Sequence, residues 1–132
     1  RNSYDVLKAQ KRETNLNNKN MINNLDEVKK LGFQFSKLLE NNDLHEYAKL
    51  MNYHWKIKQK RSNQMSNKRI NYLYNEALKN GALGGKLVGA GGGGFLLFVT
   101  SNKTKLRNAM KSHGLREVPF SFDYEGTKLI VS

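Results

Sequence analysis

The sequence predicts an α+β fold, a layer of helices packed on an antiparallel sheet in a two-layer sandwich. Three observations carry this. From Met21 to Asn80 the apolar residues recur at three- and four-residue steps, the period of helices. From Lys86 onward the pattern changes to short apolar runs such as Phe95-Leu96-Leu97-Phe98-Val99, the pattern of strands. Between the first two such runs lies Gly89-Ala90-Gly91-Gly92-Gly93-Gly94, in which five of six residues are glycine. Glycine loses more backbone entropy on folding than any other residue, so this cluster must be offset by geometry that only glycine allows.

In chain order, Arg1 to Asn20 is polar and weakly patterned, with Val6, Leu7 and Leu16 as its apolar residues. It reads as a short helix or lead-in, loosely ordered, with a connection through Thr14 to Asn20. Met21 to Glu40 is the first strong helix. Met21, Leu25, Val28, Leu31/Gly32, Phe35 and Leu38/Leu39 form one stripe. Asn41-Asn42 ends it, and Asp43 with Glu46 three residues on matches a capping box for the next helix. That helix runs from Leu44 to about Gln59. Leu44, Ala48, Met51, Trp55 and Lys58 share one face, and Tyr47, Leu50, His54 and Ile57 share another. A helix apolar on two faces is sandwiched between neighbours, and Trp55 reads as core. Lys58 continues the Trp55 face, where a lysine must snorkel or meet a counter-anion.

Lys60 to Asn67 reads as a polar loop with Ser66 as the cap of a third helix, Lys68 to Asn80. Ile70, Leu73, Tyr74, Ala77 and Leu78 face inward, and Asn80-Gly81 is a stop signal. Lys86-Leu87-Val88 is a short strand, then comes the glycine loop, then Phe95 to Thr100 as a fully buried strand. Asn102 to His113 is a helix with Leu106, Ala109 and Met110 inward and Gly114 past its end. Val118, Phe120, Phe122 and Tyr124 alternate with polar residues, which predicts a half-buried strand. Pro119 places it at an edge or turns its backbone outward. Glu125-Gly126 turns into a closing strand, Lys128 to Val131.

With 132 residues the chain reads as one domain, residues 1–132, able to bury its own core. It has no cysteine, hence no disulfide framework and no thiolate metal site or nucleophile, which is compatible with a reducing cytosol. No apolar run reaches the ~18 residues of a membrane helix, and no signal peptide opens the chain. The chain begins at Arg1 rather than Met, which reads as a fragment or a processed product. The formal net charge of +12 draws phosphate-rich partners unless it reflects a general preference for Lys and Asn. The charge is uneven. No acid lies between Glu46 and Glu76, where Lys49, Lys56, Lys58, Lys60, Arg61, Lys68 and Arg69 all fall. His45, His54 and His113 show no ligand spacing and read as surface or boundary residues.

Gly89 to Gly94 formally satisfies G-x-G-x-x-G, but a dinucleotide fingerprint needs a helix next, and a strand follows here. A Walker A loop would end in Gly-Lys-Ser/Thr, and Gly94-Phe95 does not. A protein-kinase glycine loop does lie between strands, but no His-Arg-Asp or Asp-Phe-Gly follows. Two readings of the loop remain: a hairpin where two backbones approach closely, or a surface presented to phosphate or substrate.

The run Gly81-Ala82-Leu83-Gly84-Gly85-Lys86-Leu87-Val88-Gly89-Ala90-Gly91-Gly92-Gly93-Gly94-Phe95 resembles the third conserved motif of the GHMP kinases. Within that superfamily it is most similar to the heptose 7-phosphate kinase group. Trp55-Lys56-Ile57-Lys58, the Ile70 to Tyr74 helix and Gly114-Leu115-Arg116-Glu117-Val118-Pro119-Phe120 match that group as well. The resemblance implies a C-terminal domain with a ferredoxin-like sandwich, without the strand that family members place just before Arg1. It implies ATP- and Mg²⁺-dependent phosphorylation of a sugar hydroxyl, in the heptose group the anomeric hydroxyl of heptose 7-phosphate, in nucleotide-heptose synthesis. The Pro-x-x-x-Gly-Leu-Gly-Ser-Ser phosphate loop and the catalytic Asp of the family's N-terminal domain are not in this sequence. ATP and Mg²⁺ would therefore be held mainly by that other domain, and this chain alone would be inactive with no catalytic residue of its own. Gly89, Ala90, Gly91, Gly92, Gly93 and Gly94 would face the phosphate loop and substrate. Apart from the resemblance, the basic region around Lys58 suggests Lys58, with Lys86, as cations for the sugar phosphate. The implied partners are a sugar phosphate and the chain's own N-terminal domain, in the cytoplasm and away from membranes. The alternatives are a GHMP kinase for galactose or fucose, or a basic nucleic-acid-binding α+β module. The latter lacks the aromatic-plus-basic signature of an RRM sheet and a Gly-x-x-Gly in KH context.

Overall fold

A computed structural model of the chain describes residues 3–16, 19–60, 66–89 and 93–126. The elements in order are α1 (Ser3–Asn15), α2 (Lys19–Glu40), α3 (Leu44–Lys60), α4 (Lys68–Lys79), β1 (Ala82–Val88), β2 (Phe95–Thr100) and α5 (Lys103–Ser112). The connection between the first two helices is shorter than Thr14–Asn20, since helix runs through Asn15 and resumes at Lys19.

Helix α2 buries most of the predicted stripe, but Gly32 and Leu39, the second member of each paired position, are exposed. Met21 and Leu31 are buried, and Leu25, Val28, Phe35 and Leu38 are half-buried. Only one leg of the Asp43 capping box forms. The Glu46 backbone N–H donates to Asp43 Oδ1 at 3.0 Å, but the Glu46 carboxylate pairs with Lys49 instead. The Asp43 N–H, which the second leg would satisfy, donates to the Leu38 carbonyl at 2.9 Å. Helix α3 is sandwiched as its two apolar faces predict, packed on α2 on one side and on β1 on the other. Ala48, Met51, Trp55 and Ile57 are buried along it.

The cap of α4 is Asn67 and not Ser66. Asn67 Oδ1 accepts from the Ile70 N–H at 2.9 Å, while Ser66 Oγ donates to Asn71 Oδ1. Asn67 also has the extended backbone of an N-cap, from which its short side chain reaches the third residue on. Inward-facing Ile70, Leu73, Tyr74 and Ala77 are buried, whereas Leu78 is exposed. Helix α5 follows the predicted pattern, with Asn102 as N-cap, Leu106 buried, and Gly114 past its end at φ +77°.

β1 and β2 form an antiparallel hairpin with Val88 opposite Phe95, Leu87 opposite Leu96 and Lys86 opposite Leu97. β1 begins at Ala82, four residues earlier than the Lys86 start predicted from apolar character. Ala82, Gly84 and Gly85 are β residues because they pair with Thr100, Val99 and Phe98 of β2, and the register slips between Ala82 and Gly84. One apolar cluster joins Trp55, Ile70, Tyr74 and Leu87, with Leu96 and Phe98 against it. A second joins Ala77, Ala82 and Leu106, with Phe98 and Met110 against it. Burying each large side chain in such clusters contributes roughly 1.5–3 kcal/mol.

Two strand expectations are corrected. β2 is not fully buried: Phe95 is 62% exposed and the next five residues are half-buried. One face of β2 meets the helix layer and one edge meets β1. Among the described residues no strand lies on its other edge. The predicted strand Val118–Tyr124 does not form, and Val118, Phe120, Phe122 and Tyr124 are all exposed. Alternation makes a strand only where a neighbour offers a ladder. The described sheet ends at β2, and Pro119 has no N–H to give. The Phe120 and Phe122 rings instead meet edge to face at 5.7 Å. Gly126 turns at φ +66°, and the closing strand expected at Lys128–Val131 lies outside the described residues.

Candidate functional site

The site is built where α3 crosses β1. A Cβ on Gly84 would lie 1.9 Å from the Ala48 carbonyl oxygen, so only glycine lets the helix backbone rest on the strand. One turn along α3, Asn52 Nδ2 donates to the Leu83 carbonyl at 3.1 Å, and Asn52 Oδ1 accepts from the Gly85 N–H at 3.3 Å. Tyr74 of α4 reaches the same point. Its hydroxyl lies 2.8 Å from the Gly85 carbonyl oxygen and also bonds Asn52 Oδ1. Burial pushes the Tyr74 hydroxyl pKa up to about 12, opposed in part by the Gly85 backbone, so it stays protonated at neutral pH. These bonds tie the glycine pair at the start of the hairpin to two helices.

A further turn along α3, Trp55 packs against Leu87, and then Lys58 reaches the end of the strand. Its Nζ donates to the Gly89 carbonyl at 2.9 Å and to the Leu87 carbonyl at 3.4 Å. This accounts for a lysine on an apolar face. Its stem follows the core and its ammonium meets backbone carbonyl oxygens. The end of α3 is itself held from α2, since Asn24 Nδ2 donates to the Ile57 carbonyl at 3.0 Å.

The glycine loop leaves the hairpin through a narrow neck. Gly89 stands at φ +133° and Gly94 at φ +122°, backbone that side-chain-bearing residues rarely adopt. A Cβ on Gly94 would also lie 2.2 Å from the Val88 carbonyl oxygen. Gly93 differs: a Cβ there would meet no atom of the described residues within 4 Å.

Of the residues picked from sequence, the structure brings Lys58 and Gly89 together, with Gly93 and Gly94 at the other side of the neck. Ala90, Gly91 and Gly92 lie outside the described residues. Lys86 is half-buried on β1, and alternation turns it to the sheet face opposite the one where Leu87 meets Trp55. Sequence reasoning missed Asn52. Its signal was a polar residue one step from the Met51–Trp55 face, in a helix already known to be covered on two sides. Tyr74 was read as core, which it is, but its hydroxyl bonds could not be read from periodicity.

The neck offers an ammonium, backbone carbonyls and glycine backbone. Among the described residues no group of three His, Cys, Asp or Glu side chains gathers to hold a metal ion. This donor set can meet phosphate, but it does not fit Mg²⁺, which takes oxygen ligands led by carboxylates.

The profile of the family described as "GHMP kinases C terminal" matches residues 35–115, which takes in α3, α4, the hairpin and α5. The chain belongs to this family. The GHMP kinase reading also agrees with a D-glycero-alpha-D-manno-heptose 7-phosphate kinase of Campylobacter jejuni, 31% identical over 103 residues. That match covers 76% of this chain and 30% of the relative. The fold matches a crystal structure of L. major mevalonate kinase in complex with R-mevalonate at TM-score 0.74 and 19% identity. It covers 85% of this chain and 35% of that one. The α+β sandwich is therefore the GHMP kinase C-terminal fold, and this chain spans about a third of the length of these two relatives. No helix among the described residues is long and apolar enough to cross a membrane.

Proposed function

We propose that this chain is the C-terminal domain of an ATP-dependent cytoplasmic sugar kinase that phosphorylates the anomeric hydroxyl of a heptose 7-phosphate. The observation that carries the substrate class is the 31% identity to the Campylobacter heptose 7-phosphate kinase, over a stretch covering most of this chain. The geometry supports the role of the glycine loop. Its neck is formed by Gly89 and Gly94, while a Cβ on Gly93 would meet none of the described residues within 4 Å. In this reading the loop, Gly89 to Gly94, lies against the phosphate loop of an N-terminal domain and leaves room for substrate. Lys86, on the sheet face opposite Leu87, meets the sugar phosphate, and Lys58 is engaged with the neck.

Phosphoryl transfer is mostly positioning and charge stabilisation, with Mg²⁺ bridging the ATP phosphates. In this reading ATP and Mg²⁺ are held mainly by the N-terminal domain, in keeping with the lack of a carboxylate cluster among the described residues. This chain contributes shape and a wall that excludes water, and it does not turn over ATP alone.

The test compares the 132-residue chain with the longer protein that carries it, on heptose 7-phosphate, galactose, fucose and mevalonate with ATP. Phosphorylation of the heptose alone, by the longer protein alone, is the expected result. Preference for another acceptor refutes the substrate assignment, and turnover by the 132-residue chain refutes the division of labour. Gly93→Val in the longer protein then probes the loop. Because nothing described lies within 4 Å of a Cβ there, the domain keeps its melting temperature. Turnover falls by about 100-fold or more, the scale on which misplacing reacting groups slows catalysis. Unchanged kinetics in the folded variant refute the cleft assignment.

A further inference from the structure

We propose that Lys58 is a positioning residue: its ammonium clamps the neck of the glycine loop to α3 and so sets the direction in which the loop enters the cleft. The inference rests on the reading of Gly89–Gly94 as a cleft wall. A loop made almost wholly of glycine has no side chains with which to pack itself. Glycine also retains the widest choice of backbone angles. Its direction must therefore be set by backbone contacts at its ends.

The entry side supplies two such contacts. Lys58 Nζ reaches the carbonyls of Leu87 and Gly89, one at the last buried residue of β1 and one at the first residue of the loop. The residue between them, Val88, has its own carbonyl pressed toward Gly94 on the exit side. Entry and exit are thus joined at the neck, and Lys58 ties that neck to the helix. Hydrogen bonds from an ammonium are roughly twice as strong as neutral ones. The tether is also stiff. Lys58 follows Trp55, which is buried against Leu87, and Asn24 holds the Ile57 carbonyl immediately before it. Helix α3 is in turn seated directly on Gly84. Each end of the clamp is anchored in the core, so losing the ammonium frees the loop without opening the core.

The experiment uses Lys58→Met and Lys58→Arg in the longer kinase. Methionine keeps an apolar stem and removes the charge and donors, while the arginine guanidinium can still donate to both carbonyls. The expected result for Lys58→Met is a fall in kcat of about tenfold or more, with KM for ATP and for the sugar phosphate within about twofold, the signature of an interaction needed only at the transition state. Lys58→Arg recovers most of kcat. Hydrogen exchange of the Gly89 and Gly94 amides, followed in the same protein, accelerates in Lys58→Met while the amides of α3 do not change. An unchanged kcat overturns the proposal. So does a selective rise in the sugar-phosphate KM at unchanged kcat, which would make Lys58 a substrate contact. If Lys58→Met unfolds the domain, Lys58→Arg decides: unaltered exchange and kcat support the clamp, and lost kcat with intact exchange overturns it. A wild-type protein that phosphorylates no sugar refutes the kinase reading, and the exchange data then decide the clamp alone.

Discussion

Replacing Gly84 with alanine adds one carbon where a helix backbone already sits. The new Cβ would lie 1.9 Å from the Ala48 oxygen, 2.5 Å from its carbonyl carbon and 2.9 Å from its Cα. Ordinary contact begins near 3.4 Å, so strand and helix must part by about 1.5 Å. The obstacle is backbone, so no rotamer change relieves it. Separation on that scale stretches the bonds from Asn52 to Leu83 and Gly85, and lifts Trp55 from Leu87. Overpacking of a core costs about 1–3 kcal/mol, and a backbone-on-backbone clash with attached hydrogen bonds belongs at or above the upper end. The entropy that alanine removes from the unfolded chain returns less than about 1 kcal/mol. A net loss of ~3 kcal/mol lowers Tm by roughly 10 °C for a domain of this size. The control is Gly32→Ala on the exposed side of α2, where a Cβ meets nothing within 4 Å. There the helix gains up to about 1 kcal/mol from the better helix former. Thermal unfolding followed by circular dichroism measures both. A Gly84→Ala Tm within about 2 °C of wild type, below what a 1 kcal/mol loss produces, would show that α3 is not seated on the strand.

Tyr74→Phe removes the hydroxyl between Asn52 and Gly85 while keeping the ring that packs on Trp55 and Phe98. The expected cost is about 1–2 kcal/mol, because a partly buried amide oxygen and a carbonyl each lose a partner, and denaturant titration checks it. Glu117 ties the segment after α5 back to Arg107, whose Nε and Nη2 donate to its carboxylate at 2.7 and 2.6 Å. Those hydrogen bonds hold its pKa below the usual value of 4.5. A depressed carboxylate stabilises the fold above its unfolded pKa and loses that contribution as pH falls through the lower, folded value. The Tm advantage of wild type over Glu117→Gln should therefore be present near neutrality and vanish on acidification below 4.5. It should also shrink with added salt, since both side chains are about half exposed.

The helices were legible because their stripes and caps are local. Met21–Leu38, Ala48–Ile57 and Ile70–Ala77 each encode one period, and Asn80-Gly81 a stop. The cap at Asn67 was displaced by one residue onto Ser66 because both types can cap, and geometry alone chooses. Strand character was less legible. Gly84 and Gly85 look like loop by composition, yet they pair with Val99 and Phe98 as β residues, with the Ala48 backbone against Gly84 and the Phe98 ring against Gly85. Val118–Tyr124 looks like a strand by alternation, yet no described strand offers it a ladder. The glycine motif drew attention to the right place through its resemblance to the GHMP kinases. The partner of Lys58 could not be read from sequence, since the stripe shows only that a charge lies on an apolar face. Its 31-residue separation from Gly89 is closed by the packing of α3 on β1.

The composition of β2 has a consequence for handling this polypeptide. Phe95-Leu96-Leu97-Phe98-Val99-Thr100 carries no charge and no proline, and among the described residues no strand lies on its outer edge. Such an edge is a template for strands of other molecules. Against it stands the net charge of +12, which keeps copies apart by mutual repulsion. Salt screens that repulsion without weakening the apolar edge, with a Debye length of about 10 Å at 0.1 M. Where that edge is left uncovered, charge is what keeps the copies dispersed. Self-association on raising ionic strength or adding polyanions, followed by light scattering, is then the expected outcome.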